Sequence, residues 1–130
     1  MENYIIASKV KKFIKEKSGM NTSAAFFEKL NQDVLSSLTS SIEAAKTSGR
    51  KTVMARDFSL YVENPQIEES LVVASKIKKY IKDTAGLSTS AQAFDQLTLR
   101  VQKACTLAIQ NATNDKRKTV MDRDFAAPSA

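Results

Sequence analysis

Two decapeptides, GRKTVMARDF at 49–58 and KRKTVMDRDF at 116–125, hold the densest polar chemistry in this chain. Each joins a basic tripeptide to an apolar pair and closes on Arg-Asp-Phe, with identical spacing. Clustered cations address an anionic partner, so the chemistry suggested is binding rather than bond making. For catalysis the chain is poorly supplied. It has no histidine, one cysteine, no glycine-rich phosphate loop and no Cys/His cluster, and its acidic residues fall on connectors, helix surfaces or next to arginine. We expect no enzyme, no metal site and no cofactor.

A net charge of +6 on 130 residues points the same way, toward nucleic acid or an acidic surface. Of the 20 Lys and Arg, 16 fall in four segments: 9–17, 76–82 and the stretches 50–56 and 116–123. Only Lys29, Lys46, Arg100 and Lys103 lie elsewhere. Such clustering exceeds what solubility alone requires and favours phosphate contacts. The single Cys105 excludes an internal disulfide and fits a reducing cytoplasm. MENYIIASK lacks the charged region and cleavage site of a signal peptide, and no apolar run approaches membrane length.

The elements that must hold these segments come in two sets. ASKVKKFIKEKSGMNTSAAFFEKL from Ala7 aligns with ASKIKKYIKDTAGLSTSAQAFDQL from Ala74, and the offset of 67 runs without a gap to Phe58 and Phe125, with 25 identities in 52 positions. A unit of about 60 residues buries little surface alone, so two copies sharing a core is the economical reading. Three Gly and two Pro leave little room for an all-β fold. Within each copy the periodicity predicts a short helix, a long helix and a short helix. The first carries Val10, Phe13 and Ile14 and stops at Gly19, repeated at Gly86. The second starts at Thr22 or Ser23, whose hydroxyls suit an N-cap, and runs to about Ser48 with Phe27, Leu30, Val34, Leu38, Ile42 and Ala45 at spacings of 3 and 4. Its copy carries Phe94, Leu97, Val101, Cys105, Ile109 and Ala112, which makes Cys105 a small core hydrophobe in the place of Leu38. A third helix is expected over Ala55 to Glu63, ending at a turn at Asn64-Pro65, with its copy cut short by Pro128. Residues 59–73 hold three glutamates and no basic residue, and read as a structured connector. Phe13, Phe27, Phe58, Tyr80, Phe94 and Phe125 sit at core spacing and read as packing groups, not base-stacking platforms.

A short basic helix, a long helix, a loop reading R-K-T and a short helix entered through Asp resembles the histone fold, and the residues resemble prokaryotic histones most closely. The resemblance covers nearly the whole chain twice, as in bacterial histone doublets. It implies an all-α chain of tandem histone folds, 1–64 and 65–130, packed as one compact unit in an intramolecular handshake pseudodimer. It further implies that Arg50 with Asp57, and Arg117 with Asp124, form buried structural pairs, and that Lys51, Thr52, Lys118 and Thr119 meet DNA phosphates. Lys11, Lys12, Lys78 and Lys79 fall near the family's basic position on the first helix. Asn21 and Ser88 stand where histones carry a groove-reaching arginine, Lys116 replaces the loop glycine, and Thr47 and Asn114 lie near the place of the archaeal packing histidine. The resemblance therefore does not extend to groove insertion or to stacked dimers.

Together these readings imply a monomeric, cytoplasmic nucleoid protein that binds duplex DNA through phosphates with little base specificity and bends or compacts it. The alternative is a histone-fold module for protein–protein contacts, with weak or no DNA binding. A lipid surface ranks third, because the apolar side of each basic helix is needed for the core.

Overall fold

The computed structural model describes residues 3–58, 61–63 and 65–128. Ser59, Leu60 and Asn64, assigned above to the third helix and its closing turn, lie outside the described residues. The chain runs α1 (Ala7–Ser18), β1 (Asn21–Thr22), α2 (Ala24–Thr47), β2 (Thr52–Val53), a 3-10 turn (Ala55–Asp57), α3 (Ala74–Ala85), β3 (Ser88–Thr89), α4 (Ala91–Asn114), β4 (Thr119–Val120) and a second 3-10 turn (Asp122–Asp124). Every element of the second set repeats one of the first at the offset of 67. Gly19 and Gly86 close α1 and α3 in the left-handed region, at φ 74° and 70°, and their N–H groups return to Lys15 O and Lys82 O.

The predicted third helix is replaced by a single 3-10 turn. The Asp57 carboxylate folds back to accept from Met54 N at 2.7 Å, closing the turn on itself, and Phe58 is already extended. Beyond it the backbone of Val62 is held by the Gln96 side chain, whose amide oxygen accepts from Val62 N and whose NH2 donates to Val62 O. A helix cannot offer both groups of one residue to a single side chain in this way, since they are spent along its axis. In the second copy Phe125 is likewise extended and Pro128 is buried.

The two halves share one core. α1 packs on α4, α3 on α2, and the long helices pack on each other. Phe26, Leu30, Val34, Leu38 and Ala45 of α2 are buried with Ala93, Leu97, Val101, Cys105 and Ala112 of α4, and Ala104 and Ala108 complete the close approach. The expected stripe is thus shifted by one residue at its start: Phe26 and Ala93 are buried, whereas Phe27 and Phe94 are half-buried. Burial pushes the Cys105 thiol up to about 12, which keeps it neutral and apolar. Near the chain start, Tyr4 and Ile5 are buried, and Ile5 forms an antiparallel bridge with Val72 of the connector. No helix among the described residues is long and apolar enough to cross a membrane.

Candidate nucleic-acid interface

Each R-K-T loop ends against the opposite half. β1 pairs in parallel with β4, Asn21 opposite Thr119, and β2 pairs with β3, Thr52 opposite Ser88. Asn21 N donates to Lys118 O and Ser88 N to Lys51 O, so each loop lysine is fixed beside the start of the other copy's long helix. The side chains of Lys51 and Lys118 are exposed while Thr52 and Thr119 are half-buried. The strands themselves were not predicted, because two residues carry no alternation, but the handshake that the resemblance implies sets each R-K-T loop beside the other copy's first loop.

An arginine–aspartate pair ties each loop to the turn that follows it. Arg50 Nη1 donates to Asp57 Oδ2 at 2.9 Å and Nη2 to Oδ1 at 2.5 Å, and Nη1 also reaches Thr52 O. Arg117 binds both oxygens of Asp124, reaches Thr119 O, and donates in addition to Asp115 at 2.9 Å. The Asp57 and Asp124 side chains are 2% exposed, against 23% and 18% for their arginines. Hydrogen bonds from Arg50 and Arg117, helped by Met54 N and Met121 N, hold both carboxyls below the usual carboxylate range against the opposing pull of burial. The same bonds raise both guanidinium groups above their ordinary value. With their forks engaged on carboxylates, these arginines are scaffold, and the neighbouring lysines are left to face outward.

The first helices extend the basic surface. α1 leads from the Ile5–Val72 bridge to β1, and α3 leads from the same bridge to β3, so the path from Lys118 along α1, across the bridge and along α3 to Lys51 is continuous. Each helix of 12 residues contributes about 18 Å to it. The lysines divide by flank. Lys11 and Lys15 stand one turn apart, and Lys15 Nζ lies 3.5 Å from Asn21 Oδ1, on the side of the paired strands. Lys78 and Lys82 repeat this spacing, and all four are exposed. Lys12 lines an open groove between α1, the connector and α4, together with Lys9, Glu16, Glu68, Glu69 and Lys103. Its counterpart Lys79 lies 3.7 Å from Asp83 on the helix surface. Lys15 and Lys82 were passed over in the sequence, although their i, i+4 relation to Lys11 and Lys78 is the signal that finds them.

The N-termini of the long helices open onto the same strands. Ser23 and Ser90 occupy the N-cap positions, but neither hydroxyl caps its helix, contrary to expectation: the pairing of Ser23 N with Val120 O and Ser90 N with Val53 O turns the serines into the strand register. Thr22 Oγ1, Ser23 Oγ, Thr89 Oγ1 and Ser90 Oγ are buried without a hydrogen-bond partner among the described residues. Among these residues no group of three or more acidic, histidine or cysteine side chains is arranged to hold a metal ion.

With this geometry in view, the chain is similar to the histone from Methanopyrus kandleri, with a TM-score of 0.61 at 21% identity over 92% of this chain and 89% of that one. No family model and no curated protein matches the sequence. The likeness establishes a mostly helical chain with a histone fold.

Proposed function

We propose that the chain is a pseudodimer of two fused histone folds, 1–64 and 65–130, resembling bacterial histone doublets, and that it acts as a nucleoid protein in the cytoplasm. It binds double-stranded DNA through phosphates and bends or compacts it with little regard to sequence. The protein is monomeric in solution, with further association on DNA open to it, and needs no catalytic machinery. The observation that carries this reading is the exchange of loops. It fixes Lys51 beside the start of α4 and Lys118 beside the start of α2, at the two ends of a path lined by Lys11, Lys15, Lys78 and Lys82. The uncapped first turns of α2 and α4 beside these lysines suit anionic oxygens for the same electrostatic reason. Backbone contact positions a protein without reading bases.

The test is a salt titration of binding to random-sequence duplex. We expect K51A/K118A to lower the slope of log K against log salt by about 2 units, since each neutralised phosphate contributes about 0.9. K11A/K78A should do the same, and K12A/K79A should change the slope by less than about 1. The fold should hold in all three, because exposed charges usually matter by no more than about 0.5 kcal/mol. Wild-type affinity in folded K51A/K118A, or strong preference for one short sequence, refutes the proposal. A parent that binds no DNA even at low salt favours the protein-interaction reading, for which the groove at α1, the connector and α4 offers a surface.

A further inference from the structure

The repeat offset reappears as a contact. Asp33 of α2 and Arg100 of α4 hold the same position in the two copies, 67 residues apart, and they bind each other. Arg100 Nε donates to Asp33 Oδ2 at 2.7 Å and Nη2 to Oδ1 at 3.0 Å, with the arginine side chain 14% exposed and the carboxylate 7%. Ile5 and Val72 are related by the same offset and also touch. In a two-fold arrangement a residue meets its own counterpart only at the axis. Both contacts therefore mark the pseudo-two-fold axis that relates the halves.

Position on that axis gives the charges a consequence that no other ion pair among the described residues has. If a first half paired with another first half, Asp33 would face a second Asp33. If a second half paired with a second half, Arg100 would face another Arg100. Only the mixed pairing brings unlike charges together, and the sparing exposure of the site keeps solvent from screening the difference. Ile5 and Val72, both apolar, accept any combination. Arg100 has no part in the DNA surface, because its guanidinium is committed to Asp33.

We propose that Asp33 and Arg100 are a pairing code that directs each first half onto a second half and away from its own kind, whether in the same chain or between chains. This rests on the reading of the halves as paired copies, and assigns the choice of partner to two residues. A single chain that carries both copies is free to make them differ at this point, which a homodimer is not.

The experiment uses full-length chains. Asp33→Arg places two arginines on the axis and Arg100→Asp places two aspartates there. In urea titrations each single variant should lose on the order of 100-fold or more in its folding equilibrium constant. The exchanged variant D33R/R100D should return to within about tenfold of the parent, because contacting residues are strongly coupled. The readout specific to pairing is co-refolding of the two single variants in equal amounts from denaturant. Native mass spectrometry should then find a 1:1 dimer in which each chain lends its first half to the other's second half, making one Asp33–Arg100 pair and one reversed pair. The code is refuted if the single variants match the parent in stability, if the exchange does no better than they do, or if the mixture contains only the species each variant forms alone. DNA binding of the parent is measured in parallel. Its absence refutes the proposed function and leaves the code standing, whereas failure of the charge exchange with DNA binding intact refutes the code alone.

Discussion

α2 and α4 are both 24 residues long and start after equivalent serines, yet α2 presents Phe26 and Lys29 where α4 presents Ala93 and Gln96. The difference follows what each helix meets. Phe26 is fully buried and packs on Phe125, with ring centroids 6.3 Å apart, whereas the region near Ala93 receives the chain leaving the first copy. There the amide of Gln96 binds both backbone groups of Val62, while Lys29 at the equivalent position is exposed. One end of the molecule is closed by an aromatic pair, the other by a small residue and a connector pinned with hydrogen bonds. A duplicated sequence diverges first where its two copies have unequal neighbours.

Breaking the aromatic end should show the largest effect. Phe26→Ala removes a large buried side chain and should cost about 3–5 kcal/mol in urea unfolding, whereas Ala93→Phe forces atoms into a filled site at about 1–3 kcal/mol. A loss below about 1 kcal/mol for Phe26→Ala would mean that the two ends are packed alike after all.

The loop pairs sharpen the comparison. Asp57→Ala leaves Arg50 without its carboxylate and should cost on the order of 3 kcal/mol, and Asp124→Ala should cost less, because Arg117 keeps its bond to Asp115. Equal losses would show that Asp115 adds nothing. Acid unfolding tests the same groups. Both carboxyls are held below the ordinary range in the folded chain, so the unfolded chain takes up protons first. Their stabilisation should be complete above about pH 4 and decline as pH falls from there toward the depressed folded values. Each alanine variant should flatten that acid limb in equilibrium titrations.

The smallest effect concerns one backbone position. Gly49 has φ 72°, and Lys116 adopts φ 59° at the equivalent place, where a side chain is disfavoured. Lys116→Gly should therefore raise stability by about 1 kcal/mol, and Gly49→Lys should lower it by about 1–2 kcal/mol. A destabilised Lys116→Gly would show that the lysine side chain makes up for its strained backbone.

Much of this architecture was legible because it rests on local signals. Gly19 and Gly86 marked helix ends since only the left-handed conformation continues the chain there, and residues spaced by 3 and 4 marked the long helices to within a residue or two. The R-K-T lysines were legible as a basic cluster, and the duplication announced that two units share one core. The third helix was misread because nothing in residues 55–63 states that Asp57 will be turned back on Met54 or that Val62 will find Gln96.

By itself, then, the sequence determined the short and long helices, the glycine stops of the short ones, most of the apolar faces and the four basic segments, all set by interactions within a few residues along the chain. Only the tertiary structure decided which segments of the two copies meet. Exchange of the loops puts Lys118 beside α2 and Lys51 beside α4, and the turn of α1 sends Lys11 and Lys15 toward the strands and Lys12 toward the groove. Alignment puts Asp33 and Arg100 in the same column, but that they touch depends on where the axis between the copies falls. That position is set by how two long helices pack across each other, a contact between distant parts of the chain that no local pattern records.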